Sequence, residues 1–311
     1  MPKRSMRDLS VVVVTHNSAH LLGTCIRSVE AHRGALTMNV VVSDCGSTDV
    51  SVEVAQQLGV VVLPGPNAGF AGGCNRALRS QATADSEFVL FLNADVEIVE
   101  GTLASLLERA RQYPERGIYT ARQIDGSGTI QRSVTHRLRR RPIDRWLFPI
   151  RDMSNPPASA YEHEFDVDAA IGAFFLVRRD VFREIGLFDE SFFLYEEENE
   201  FCLRAVRAGR GARYLPQVTY RHALVHERLP NPWQRFLQRR ASILLDERRF
   251  GWRGGISARS RILYEEVRRL VRPSVSPAAR RAAAAAALAA LMHHRPWVPG
   301  APLPGRFLRR R

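Results

Sequence analysis

The chain has 311 residues, 45% of them hydrophobic and 25% charged, an ordinary globular mixture sufficient for one large core or two modest ones. No run reaches the roughly 20 apolar residues of a membrane-spanning helix, and the apolar stretch after the basic N-terminus, Val11 to Val14, is too short for a secretory signal core, so a cytoplasmic protein is expected. The net charge of +13 is uneven: residues 1–227 carry 26 Arg and Lys against 28 Asp and Glu, and residues 228–311 carry 19 against 4, which leaves the main body slightly acidic and argues against a nucleic-acid reading surface there.

The first half alternates apolar runs with helix-period segments. LSVVVVTHN (residues 9–17) reads as a strand buried on both faces, and Leu21, Leu22, Cys25, Ile26 and Val29 then recur at helical spacing. MNVVVSD (38–44) predicts a second strand, VSVEVAQQL a helix, GVVVLP (59–64) a third strand and EFVLFLN (87–93) a fourth, followed by a helix presenting Leu103, Leu106, Leu107 and Ala110. This succession implies a parallel sheet with helices against it and right-handed crossovers. In such sheets ligands bind beyond the carboxyl ends of the strands, and the polar clusters fall there: Thr15-His16-Asn17, Asp44 to Asp49, and Asn93-Ala94-Asp95.

Residues 125–164 read as loops and a variable insert. VDAAIGAFFLVRR then predicts a strand, and EEENEFCLRAVRAG a helix capped by Gly209. Beyond about residue 228 come Arg-rich helices, an alanine run and a Pro/Gly-rich end that is expected to be disordered. The division expected is therefore residues 1–228 as one α/β domain and 229–311 as a basic helical extension. Cys25, Cys45, Cys74 and Cys202 are dispersed, with no C-x-x-C pair, and read as free packing thiols.

Six motifs in order, VVVVTHNSAHLL, VVVSDCGSTDVS, NAGFAGGCNRAL, FLNADV, GAFFLVRRDVFREIGLFDESFF and LYEEENEFCLRA, resemble the nucleotide-sugar glycosyltransferases of family 2, most nearly their rhamnosyltransferase-type members, over roughly residues 9–226. The resemblance implies the α/β GT-A fold, a mostly parallel central sheet flanked by helices. It implies that Asp44 accepts a hydrogen bond from the uracil or thymine N3–H, and that Thr15, Asn17, Gly69, Gly72, Asn75 and Asn93 line the nucleotide-sugar pocket. Glycines lack the Cβ that would hold a backbone away from a flat or anionic ligand, but the G-x-x-G-G spacing of residues 69–73 is not the dinucleotide fingerprint.

A donor diphosphate calls for a hard divalent cation held by one or two carboxylates. Asp95 occupies the last position of the family's D-x-D-like motif, with Asn93 in place of the first Asp, and His222 falls where such enzymes often supply a late metal-binding His, with His226 next. An inverting transfer also needs a base for the acceptor hydroxyl. The family's E-D-x-D motif aligns with Glu197-Glu198-x-Glu200, placing Glu198 at the base position, with Glu197 the second candidate. Arg204 is expected either to stabilise the leaving diphosphate or to pair with Glu200 one turn away.

The reading reached is an inverting, Mn2+- or Mg2+-dependent glycosyltransferase that moves a sugar from a nucleoside-diphosphate donor, dTDP-rhamnose or a UDP-sugar, to a glycan or polyprenyl-linked acceptor in cell-surface polysaccharide synthesis. Two alternatives are a degenerate, noncatalytic sugar-nucleotide binding protein and a nucleic-acid binder acting through the basic tail, although nucleic acid is not the expected partner. The tail is better explained by attraction to the anionic inner face of the cell membrane, each Arg contributing on the order of 1 kcal/mol there; the same helices leave homo-oligomer formation open.

Overall fold

The computed structural model describes residues 6–135, 157–222, 232–272 and 274–292. The elements run β1 (Arg7–Thr15), α1 (Ala19–Ala31), β2 (Met38–Cys45), α2 (Ser51–Gln57), β3 (Val61–Gly65), α3 (Gly69–Arg79), α4 (Gln81–Ala84), β4 (Ser86–Asn93), β5 (Val96–Gly101), α5 (Leu103–Arg111) and β6 (Ile118–Ile124). Two short strands, β7 (Ile130–Gln131) and β8 (Val134–Thr135), precede β9 (Phe165–Val167), β10 (Ala169–Ala170), β11 (Phe174–Arg178), α6 (Val181–Ile185), α7 (Glu197–Arg207) and β12 (Ala212–His222). Three long helices close the described chain: α8 (Pro232–Phe250), α9 (Trp252–Val271) and α10 (Pro277–Met292).

The main sheet runs in the order β3-β2-β1-β4-β11-β6-β12-β5. Its first four strands are parallel, β11 is antiparallel to β4 and to β6, β6 and β12 are parallel, and β5 is antiparallel to β12. Alternate residues of β1 supply two different cores: Val11 and Val13 pack with Leu22, Ile26 and Leu106, and Val12 packs with Ala71, Cys74 and Phe201. A strand buried on both faces has no polar face to offer, which is why its sequence is an unbroken apolar run. All four cysteines are free and buried.

Three expectations are amended. The run after Asp95 is strand β5 rather than a direct lead into α5, because Val96 and Ile98 are buried while Glu97 faces Arg221 of β12 at 2.6 Å. VDAAIGAFFLVRR is three strands instead of one, interrupted around Gly172. NAGFAGGCN, whose glycines are expected to admit a ligand close to the backbone, is helical from Gly69 onward. The C-terminal helices and alanine run form as expected, and the helix α7 ends on Gly209 at φ +75, with Arg210 N–H donating to Ala205 O at 2.8 Å. Residues 293–311 and most of the expected variable insert lie outside the described residues.

The C-terminal helices do not stand apart from the rest. Phe236, Leu237, Ala285 and Ala289 pack with Phe193, Leu194 and Tyr195, and Ala241 and Leu245 pack with Phe192. The segment leading into α7 is thus clamped between the sheet domain and α8.

Candidate active site

The carboxyl ends of β1 and β2 place Thr15 and Asp44 opposite each other in register. Both are 2% exposed. One Asp44 oxygen accepts from Ser47 N–H at 3.1 Å, while its Oδ1 and the Thr15 hydroxyl are buried with no hydrogen-bond partner. A buried acceptor left unpaired costs about 1–3 kcal/mol, so two of them side by side at a sheet edge mark a place prepared for a ligand donor. Asn17, at φ 52, instead braces the neighbouring loop, its Oδ1 accepting from Thr48 N–H at 2.7 Å. Asp49 holds a turn, accepting from Ala19 and Ser51 N–H.

The glycines of NAGFAGGCN make room for protein, not for open space. A Cβ on Gly69, which sits at φ +73, would lie 1.7 Å from Phe193 O; one on Gly72 would lie 2.4 Å from the Ala68 Cβ; one on Gly73 would lie 2.7 Å from Val14. These contacts draw α3 against β1 and against the segment before α7. Asn75 completes the clamp from 1% exposure: its amide donates to Phe188 O and Glu190 at 2.9 and 2.8 Å and accepts from Phe188 N–H at 3.0 Å. Arg204 forms the ion pair with Glu200 at 2.8 Å and donates to the carbonyls of Ile185 and Leu187, with its guanidinium over Phe201. Its donors hold the turn before α7, and of the two expectations for Arg204 the structure displays the pairing with Glu200. Arg76, which the sequence reading passed over, donates to Asp44 O at 2.6 Å and Pro66 O at 2.7 Å and so fixes the backbone carrying the unpaired acceptor. Its place immediately after Asn75 was the only signal available.

Asp95 follows β4, and His222 ends β12, yet His222 Nε2 lies 3.1 Å from Asp95 Oδ1, with Asn93 Nδ2 at 3.5 Å from the same nitrogen. The β5–β12 pairing makes the meeting: Tyr220 pairs with Ile98 and His222 with Val96, after a register shift that skips Val99. Without that bulge every later residue of β12 would oppose the neighbouring position. Both side chains are partly open, Asp95 at 22% and His222 at 12%. The 3.1 Å contact is a hydrogen-bonded pair, and an imidazole nitrogen and a carboxylate oxygen are two ligand types that a divalent cation takes. Among the described residues no group of three or more His, Cys, Asp and Glu could hold a metal. His226 lies outside the described residues.

From Asn93 the site continues to α7. Asn93 N–H donates to Ala173 O at 3.2 Å, and beside Ala173 the bare α-carbon of Gly172 faces Glu198 and Phe70, a Cβ there lying 3.8 Å from Glu198 Cδ and 3.6 Å from the ring. Tyr195 and Glu196 enter α7 with φ of 72 and 68, the left-handed region that costs a non-glycine residue about 1 kcal/mol or more. Tyr195 is held there by packing against Phe236, and the strained entry delivers Glu197 and Glu198 to the first helical turn. The two glutamates differ in setting. Glu197 is 4% exposed with Oε2 unpartnered; burial first, then the charges of Glu198 and Glu196, push its carboxyl well above the usual range. Its surroundings thus favour the uncharged form, while Glu198 lines an open cavity.

Glu197 supplies a stability prediction with a definite sign. Below the ordinary carboxyl value of 4.5 folded and unfolded chains both carry the proton. Above it the unfolded chain releases the proton first, so the stability contribution of Glu197 is lost as pH rises toward the raised folded value, by on the order of 1 kcal/mol per pH unit. Glu197→Gln has no such linkage, and its melting temperature is expected to gain on wild type as pH rises above 4.5. A gap independent of pH in scanning calorimetry would show that Glu197 titrates as an ordinary surface acid.

Residues 10–186 match the family described as Glycosyl transferase family 2, and residues 102–298 match Glycosyl transferase family group 2. The chain belongs to glycosyltransferase family 2 and is a glycosyltransferase of GT-A fold. The second match runs across residue 228 into the C-terminal helices. The N-acetylglucosaminyl-diphospho-decaprenol L-rhamnosyltransferase of Mycobacterium tuberculosis is 27% identical over 285 residues, covering 82% of this chain and 92% of that protein. The low-salt glycan biosynthesis hexosyltransferase Agl10 of Haloferax volcanii is 29% identical over 214 residues, covering 64% of this chain and 62% of its own. Among solved structures, the mannosyltransferase PcManGT from Pyrobaculum calidifontis, in complex with GDP-Man and Mn2+, aligns with a TM-score of 0.54 at 16% identity, covering 92% of this chain and 75% of that one. These likenesses accord with the transferase reading, not with the noncatalytic or nucleic-acid readings.

Proposed function

We propose that this chain is an inverting, divalent-metal-dependent glycosyltransferase that takes a sugar from a nucleoside-diphosphate donor, dTDP-rhamnose or a UDP-sugar, to a hydroxyl of a polyprenyl-linked glycan. The observation that carries the proposal is the meeting of Asp95 and His222 at the end of the sheet that also leaves Asp44 Oδ1 and the Thr15 hydroxyl buried and unpaired. Asp44 receives the pyrimidine N3–H. Asp95 and His222 would hold the cation, which when bound supplies charge neutralisation at the departing diphosphate. Glu198 takes the proton of the attacking hydroxyl. Support for the acceptor class comes from the decaprenol-linked activity in the name of the mycobacterial relative. The test is a thermal-shift panel of nucleotide sugars with and without Mn2+: one pyrimidine-linked donor is expected to raise the melting temperature by several degrees in a metal-dependent way. A panel without any metal-dependent shift counts against the proposal.

A polyprenyl acceptor resides at a membrane, and no helix among the described residues is long and apolar enough to cross one. Helix α9 offers a different contact. Trp252, Ile256, Tyr264, Val267 and Val271 are all exposed, fall on one side at helical spacing, and are flanked by Arg253 stacked on Trp252 and Arg268 stacked on Tyr264. Aromatic and aliphatic side chains ringed by cations are the composition of a helix that lies in an anionic interface. The protein is therefore expected to sediment with phosphatidylglycerol vesicles at low salt, and Trp252→Glu to weaken that binding about tenfold. Sedimentation equal for wild type and variant would remove α9 from the membrane contact.

A further inference from the structure

A cavity of about 410 Å³ opens between the first turn of α7 and the facing sides of α8 and α9. Glu198 lines it from α7, and Tyr195 and Glu196 from the residues just before that helix; Arg235, Gln238 and Arg239 line it from α8, and Arg269 from α9. The arginines are built into place. Glu266, 0% exposed, accepts from Arg235 at 2.6 Å and Arg239 at 2.6 Å and lies 4.0 Å from Arg269. Glu265 pairs with Arg239 at 2.9 Å and with Arg261 at 3.7 Å, and Arg261 also reaches Asp246 at 3.3 Å. Arg235, Arg239 and Arg269 thus form one wall of the cavity over the buried Glu266, opposite the carboxylates of Glu196 and Glu198. Among the described residues, Nη1 of Arg235 and of Arg239 has no protein acceptor.

Stability alone does not account for such a cluster, because a buried ion network is often matched or exceeded by well-packed apolar residues of the same volume. What the buried carboxylate does achieve is to fix several guanidinium forks beside a cavity, so that little side-chain entropy remains to be lost when an anion arrives. The cavity is polarised, with a carboxylate that takes a proton on the α7 side and guanidiniums on the other.

We infer that this cavity receives the acceptor, with the diphosphate of a prenyl-linked sugar on Arg235, Arg239 and Arg269 and the sugar hydroxyl at Glu198; the inference rests on the transferase reading. In an inverting displacement the hydroxyl enters from the face of the anomeric carbon opposite the departing diphosphate. An anion site that shares a cavity with the base therefore belongs to the acceptor, and the donor's diphosphate belongs with Asp95 and His222. Guanidinium forks match phosphate oxygens in pairs.

The experiment uses the full chain and titration calorimetry with farnesyl diphosphate, without added metal, alongside inorganic pyrophosphate, farnesol and, with Mn2+, UDP and dTDP. Farnesyl diphosphate is expected to bind the wild type more tightly than pyrophosphate or farnesol. Arg239→Gln and Arg269→Gln are each expected to weaken it about tenfold while leaving UDP or dTDP binding unchanged, and Asp95→Ala to do the reverse. Arg269 is 53% exposed, so its variant decides the matter if Arg239→Gln fails to fold. Farnesyl diphosphate affinity that ignores both arginines, or that disappears only with Asp95→Ala, overturns the inference by placing the anion elsewhere. Pyrophosphate binding as tight as farnesyl diphosphate overturns the assignment to a lipid-linked ligand. Wild type that binds neither UDP nor dTDP with Mn2+ instead removes the transferase reading itself.

Discussion

Asp95→Ala is expected to abolish metal-dependent binding of the nucleotide-sugar donor, with at least about a hundredfold loss of affinity in the presence of Mn2+. Asp95 supplies a carboxylate beside His222, at 3.1 Å, and Asn93 offers a neutral amide where a second acid would otherwise stand. A neutral imidazole alone holds a divalent cation less tightly than a carboxylate–imidazole pair, because the site loses both a ligand and a unit of negative charge. The side chain is partly exposed and caps no helix, so the variant is expected to melt within a few degrees of wild type. Calorimetry with the donor, with and without Mn2+, separates the outcomes. Full retention of metal-dependent affinity would place the cation elsewhere on the chain.

Glu198→Gln is expected to leave donor affinity intact and lower kcat by about 10²–10⁴, the range of a lost general base. Gln preserves the shape of the side chain next to Gly172 but cannot accept a proton. Glu197→Gln serves as the comparison. Burial and its acidic neighbours favour the uncharged form of Glu197, so its loss is expected to alter stability far more than kcat. Single-turnover rates with saturating donor measure the difference. An unchanged rate in Glu198→Gln together with a collapsed rate in Glu197→Gln would exchange the two roles.

Much of the site was legible because it sits where chain patterns change. The runs that became β1, β2 and β4 ended in polar residues, and a parallel sheet presents such ends at one edge. Asp44, Thr15, Asn93 and Asp95 could thus be placed before any coordinates. Helix α7 was legible through its apolar spacing and Gly209. The Arg204–Glu200 pair was legible from its i, i+4 spacing, whereas the contacts of Asn17, Asn75, Gly69 and Gly72 were not, since residues that shape a pocket and residues that clamp its walls carry the same side chains. Only the hydrogen bonds of Asn75 to Phe188, and the approach of Phe193 to Gly69, separate these cases. Strand β5 was missed because VEIVEG is short and half polar, and its partner β12 lies over a hundred residues later.

The amino-acid order by itself determined the alternating α/β framework, the acids at the strand ends and the glutamate triplet, because hydrophobic period and turn chemistry are local. Tertiary structure alone decided that His222 meets Asp95 through a bulged β5–β12 pairing, that Glu197 is buried while Glu198 faces a cavity, and that Arg235, Arg239 and Arg269 gather round one hidden carboxylate. Each of those depends on strand register or helix packing between segments distant in the chain, and no local pattern encodes a distance.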